Sequence, residues 1–303
     1  MSATTSIAAP RAPSALLPVA ALLVNAFVWG VSWWPFRHLQ GLGLHPLWAT
    51  ALIYVIAAAV IVVRWPQSVG QLLRTPVLWI LVFASGSTNA TFNWAVSIGD
   101  VVRVVLLFYL MPLWAVLLAR VLLHERLTRL ALARVVLALA GAAIVLKPEG
   151  AGWPVPSSLS DWLGIAGGFC FALNNVMLRR EAHRPPEARA LAMFAGGVVV
   201  AGAIAAALGA LGNVPLPPAP AWSWTLPALL LAGAFLAANL SLQYGAARLR
   251  ASATAVVMLS EVVFAAGSAV LLGDQALSAG VLLGGALILA AAALATLESS
   301  DAH

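Results

Sequence analysis

Ten stretches of about 20 mostly apolar residues follow one another along this chain, and arginine crowds into every second gap between them. The expected spans are 14–36, 46–64, 76–97, 101–123, 128–146, 160–180, 187–211, 222–245, 251–273 and 277–297. A helix rising about 1.5 Å per residue crosses about 30 Å of hydrocarbon in such a length. Apolar residues make up 62% of the chain and charged ones 9%. A soluble core of 303 residues does not need that ratio, whereas a bundle of membrane helices does. The longest polar-leaning gap, Pro148 to Ser160, leaves no room for a separate soluble domain. The expected class is therefore all-α integral membrane, with lipid as the main solvent.

The formal charge of +6 does not imply nucleic acid, because the cations follow membrane side and form no single patch. With a cytoplasmic N-terminus, Arg11, Arg64, Arg74, Arg120, Arg126, Arg129, Arg134, Arg179, Arg180, Arg184, Arg189, Arg248 and Arg250 fall on the cytoplasmic side. Only Arg37, Arg103 and Lys147 fall opposite. That bias fixes orientation by the positive-inside rule, and ten spans return the C-terminus to the cytoplasm. The first apolar run is longer than a signal-peptide core and is read as a retained helix. Cys170 is the only cysteine, so no disulfide forms within the chain. Trp48, Trp65, Trp79, Trp153, Trp162, Trp222 and Trp224 sit near span ends, as an interfacial belt requires.

The chain reads as two related halves, 14–147 and 157–297. Trp29-Gly30 precedes Arg37 as Phe171-Ala172 precedes Arg179. Asn89 and Trp94 recur as Asn239 and Tyr244, and Leu122-Leu123-His124-Glu125 as Leu271-Leu272-Gly273-Asp274. Five spans per half is an odd number, so the halves lie in opposite orientations. Inverted repeats give inward-open and outward-open shapes of similar free energy, the architecture of alternating-access carriers.

These features resemble the drug/metabolite transporter superfamily, EamA type. The residues that carry the resemblance are Trp29-Gly30 through Arg37, Tyr109 to Ala115 running to His124-Glu125-Arg126-Leu127, and Ser260 to Ala266 running to Gly273-Asp274. It covers nearly the whole chain and implies ten helices in two five-helix halves. The Trp-rich first span and Asn/Ser-rich third look most like exporters of aromatic and other apolar amino acids, the YddG type. Two departures stand out. Val262 follows Glu261 where the family often has proline, and Ile53 and Tyr54 occupy a region where it often has arginine.

Function should lie with the few polar groups at membrane depth. Glu261 is the only carboxylate near the middle of a span. An acid there faces a cavity or a partner; it attracts an ammonium, carries a proton, or ties helices together. Ser85, Asn89 and Asn93 are spaced i, i+4, i+8 and share one helical face. They either line a cavity or clasp a neighbouring helix. Asn174, Asn175, Asn239 and Gln243 form the counterpart set, and Asn25 is a further candidate. Pro112 removes a backbone hydrogen bond midway along span four and frees a carbonyl one turn earlier. The result is a kink, a flexing point or a carbonyl aimed at cargo. Trp29, Trp94, Tyr109 and Trp114 supply apolar walls and cation–π faces, or simply packing. Gly164–Gly168, Ala138–Ala142 and Gly280–Gly284 are small pairs suited to close helix packing.

An intramembrane enzyme is disfavoured, since His38, His45, His124, His183 and His303 all lie at span ends, in loops or at the terminus. A channel should show filter motifs or charge rings. A nucleotide-sugar carrier should place basic groups in its cavity. The expectation is therefore a bacterial inner-membrane exporter of small amphipathic metabolites, amino acids first. No cofactor, metal or nucleic acid is expected. A monomer in the lipid bilayer is expected, with a dimer left open.

Overall fold

The computed structural model describes residues 16–122, 124, 129–147, 155–181, 183–246, 257–258, 260–273 and 277–298. Arg11, Arg126, Arg248, Arg250, Glu125, Asp274 and Trp153 lie outside them, as do the side chains of Pro112, Arg179 and Gln243.

Every regular element among the described residues is an α-helix. In chain order these are α1 (Leu16–Val31), α2 (Trp33–Gly41), α3 (Pro46–Arg64), α4 (Gln67–Leu73), α5 (Leu78–Ile98), α6 (Val101–Phe108) and α7 (Met111–Leu122). There follow α8 (Arg129–Leu146), α9 (Leu159–Arg180), α10 (Pro186–Ala210), α11 (Trp222–Ala246), α12 (Ser260–Leu272) and α13 (Ala279–Glu298). Local chemistry sets several starts. Pro46 and Pro186 occupy first-turn positions, where the missing N–H is no loss. His45 Nδ1 accepts from Leu47 N at 3.3 Å, and burial holds that imidazole below its ordinary pKa, in its accepting form. Asp100 caps α6 by accepting from Arg103 N at 2.8 Å.

By length and apolarity, five helical stretches can cross a membrane: Leu16–Gly41, Pro46–Arg64, Val101–Leu122, Pro186–Ala210 and Trp222–Leu242. A sixth arises if α4 and α5, bent by 100°, are taken as one. The polar run from Ser85 to Asn93 lowers the hydropathy of α5. Val135–Val145, Ser260–Leu272 and Ala279–Ala291 are shorter apolar runs. The chain is thus a multi-pass membrane protein. One detail differs from expectation: α4 lies within the gap between the second and third expected spans, which is helical rather than loop.

Contacts fix helix directions. α1 runs antiparallel to α11, with Asn25 Nδ2 donating to Ala238 O and Gly245 against Leu22 and Pro18. It runs parallel to α12, where Phe27 meets Phe264 and Trp33 Nε1 donates to Ser268 Oγ at 2.9 Å. α9 in turn runs parallel to α6, from Asp161 beside Arg103 to Gly168 beside Phe108. Each half therefore lends its first long helix to the other half.

α8 and α13 cross antiparallel at a reciprocal contact. A Cβ on Gly141 would stand 2.6 Å from Gly284 O, and one on Gly284 would stand 2.6 Å from Gly141 O. Gly141 also faces Ile288, and Gly284 faces Val145, each one turn further on. Such mutual contact is what a local twofold axis produces. Tyr54 on α3 lies against Gly197 on α10, and this pair has the same sequence separation as Gly141 and Gly284.

Candidate functional site

Helices α1, α3, α5, α6, α7, α9, α10, α11 and the start of α12, with Met258, enclose a cavity of about 530 Å³. Its depth follows from which part of each helix reaches it. Ser85, Thr88 and Asn89 lie in the first two-thirds of α5, and Phe92 one turn further on. Asn174 and Asn175 lie in the last third of α9, Asn239 and Leu242 toward the end of α11, and Met258 and Glu261 around the start of α12. With the directions above, all these sites lie in one half of the bundle, away from Arg37 and Arg103.

Toward the other half the cavity ends at Phe92, Phe108 and Phe171, which meet edge-on and tilted with ring centroids 4.9 and 5.3 Å apart. Beyond them Arg37 donates to Val96 O at 3.2 Å and to Gly99 O. Arg103 grips Asp161 with two bonds, 2.7 and 3.0 Å, and donates to Val145 O at 2.9 Å. Asp161 also accepts from Ser157 N at 3.0 Å, which leaves the carboxylate well satisfied although it is 1% exposed. A shallower hollow of about 390 Å³ beside Trp33, Trp34 and Arg37 lies at this end, where Arg37 is already engaged and stacked 4.9 Å over Trp33.

Of the residues singled out in the sequence, Trp29, Ser85, Asn89, Tyr109, Asn174, Asn239 and Glu261 line the cavity, with Asn25 and Asn175. Trp29 stacks on Phe235 at 4.5 Å. Tyr109 OH donates toward Glu261 Oε2 at 3.3 Å and Met258 O at 3.4 Å. Among the described residues no ion pair includes Glu261. Its helix comes close to α1 because Gly30 has no side chain: a Cβ there would stand 2.7 Å from Glu261 O.

Three expected residues are placed elsewhere, and the side chain of a fourth, Pro112, lies outside the described ones. Asn93 is fully buried and donates to Thr50 Oγ1 at 3.0 Å, clasping α5 to α3. Trp94 packs edge-on to His45 at 5.4 Å, and Trp114 edge-on to Phe169 at 5.5 Å. The chain breaks at Tyr109–Leu110 between α6 and α7, where Leu110 N turns to Leu107 O within the turn that precedes Pro112. The carbonyl that Pro112 frees, on Phe108, points at the backbone of Gly168 on α9 and serves helix packing. Tyr54, Phe92, Phe108, Met193 and Phe194 line the cavity without having been singled out. Phe171 was legible as the repeat counterpart of Trp29. Met193 and Phe194 lie on α10, whose run from Leu191 to Ala210 carries no polar side chain to mark a cavity face.

The sequence pattern of the EamA-like transporter family matches this chain twice, at residues 16–147 and 158–297. The chain belongs to that family. It is accordingly a membrane transporter built from a repeated unit. No curated protein matches the sequence. One solved protein crystal structure is similar at a TM-score of 0.56 over 93% of this chain and 97% of its own, with 21% identity, which is a likeness of fold alone.

Proposed function

We propose that this EamA-family transporter is a secondary carrier that exports small amphipathic metabolites from the bacterial cytoplasm across the inner membrane by alternating access. The first cargoes to test are aromatic and other apolar amino acids. The proposed architecture is ten membrane-crossing helices in two inverted five-helix repeats, 14–147 and 157–297, with both termini cytoplasmic. The reciprocal Gly141–Gly284 contact and the exchanged first helices support that symmetry. Under the positive-inside orientation the end with Arg37 and Arg103 faces outward and the cavity lies toward the cytoplasm.

The observation that carries the reading is a cavity at membrane depth that gathers amides, aromatic rings and the carboxyl group of Glu261. Trp29 and Tyr109 would hold an apolar side chain. Ser85, Asn89, Asn174 and Asn239 would meet its polar end, and Glu261 an ammonium. No basic side chain lines the cavity among the described residues, which argues against a phosphate-bearing cargo. The test is counterflow of labelled amino acids in proteoliposomes. Saturable exchange is expected, and Glu261→Gln should lower it at least tenfold at unchanged folded yield. Linear, unsaturable flux would sink the carrier reading, and an unaltered rate in the variant would remove Glu261 from the site.

A further inference from the structure

The hydrogen-bonding sense of the cavity wall is lopsided. Among the described residues, each hydroxyl that lines it has its single proton engaged by the protein. Ser85 Oγ donates to Met193 O at 3.1 Å, and Thr88 Oγ1 to Ala84 O at 2.8 Å. Tyr54 OH donates to Asn89 Oδ1, and the Tyr109 proton lies between Glu261 Oε2 and Met258 O. These groups can offer cargo only lone pairs. Three amides have spent one of their two N–H groups: Asn25 Nδ2 on Ala238 O, Asn89 Nδ2 on Ser85 O, and Asn239 Nδ2 on Phe235 O. Meanwhile the carboxamide oxygens of Asn25 and Asn174, side chains 1% and 4% exposed, are buried without a protein donor. An acceptor left unpaired away from water is costly, so a small turn of either side chain that brings its oxygen to a donating ligand is favoured.

Resting on the carrier reading above, we infer that the cavity selects protonated organic amines with an aromatic or apolar body over the zwitterionic amino acids of the same body. An ammonium brings up to three donors and a positive charge to these lone pairs and to the Glu261 carboxylate. The rings of Trp29, Phe92 and Phe171 give its apolar part a seat and its charge a π face. A second carboxylate on the cargo would sit near Glu261 in a site of low dielectric, where like charges repel strongly. The remaining amide N–H groups can take a neutral oxygen, but they bring no charge to offset that repulsion.

Three ligands that share one phenyl body separate the terms: 2-phenylethylamine, phenylalanine and 3-phenylpropionate. Their affinities for the purified full-length protein are read by titration calorimetry at neutral pH. The amine is expected to bind about tenfold or more tighter than phenylalanine, and phenylpropionate not at all. Glu261→Gln should collapse the difference between the first two, while Glu261→Asp should keep the order. Phenylalanine binding as tightly as the amine, or phenylpropionate binding measurably, would overturn the amine preference while leaving saturable counterflow, and so the carrier, intact. Heat from none of the three also overturns it, and the carrier reading is then judged by counterflow alone.

Discussion

Tyr54 shows how one side chain ties packing to the candidate site. Its ring fills the space opposite Gly197, lines the cavity and donates its hydroxyl proton to Asn89 Oδ1. Asn89 in turn donates to Ser85 O at 2.8 Å, so the amide is held at both ends. Tyr54→Phe removes the donor and leaves a buried acceptor. The expected cost is about 1–3 kcal/mol, read as a lower midpoint in thermal unfolding of the purified protein. An unchanged midpoint would mean Asn89 had found another donor. The i, i+4 spacing of Asn89 and Asn93 correctly put them on one face of α5. It could not say what covers that face: the cavity at Asn89, and Thr50 of α3 one turn later.

At the scale of elements, small residues decide how closely helices approach. The Gly280–Gly284 pair reads as one packing motif, yet the two positions differ. A Cβ at Gly280 meets nothing nearer than 3.8 Å, whereas at Gly284 it would press on Gly141 O. Gly284→Ala is therefore expected to cost about 1–3 kcal/mol by overpacking the α8–α13 crossing, and Gly280→Ala close to nothing. Unfolding by denaturant in mixed micelles would compare them, and equal losses would refute the reciprocal contact. Span four is divided into α6 and α7 within the turn that precedes Pro112, where a missing N–H favours a break. Where the freed Phe108 carbonyl went was a matter of the neighbouring helix: Gly168 lets α9 sit against it.

The molecule as a whole is locked at one end and hollow toward the other. The lock uses backbone carbonyls at Val96, Gly99 and Val145 together with a two-bond Arg103–Asp161 pair. The α9 residue Asp161 sits where the other half, by the Trp29–Phe171 correspondence, has Val19, which bears no charge. The repeat is thus unequal at this point, and under the alternating-access proposal the pair would weight one of the two related states. Asp161→Asn weakens it and is expected to shift the population toward opening at that end, by about tenfold if the loss is near 1.4 kcal/mol. Spin labels at Trp34→Cys and Trp162→Cys, on a Cys170→Ser background, would report a longer distance component. A distance distribution identical to that of the parent would detach the pair from the seal.

Composition and period alone determined that this chain lives in lipid, that it is helical, and that it repeats. Those properties are sums over many residues, so no single misplacement alters them. They also named most of the polar groups that meet in the cavity, since a polar side chain at membrane depth must find a protein partner or a wet hollow. Which of the two each one found was decided only by tertiary structure. Asn89 and Asn93, or Trp29 and Trp114, are alike in type and depth, and differ only in which helix lies across from them.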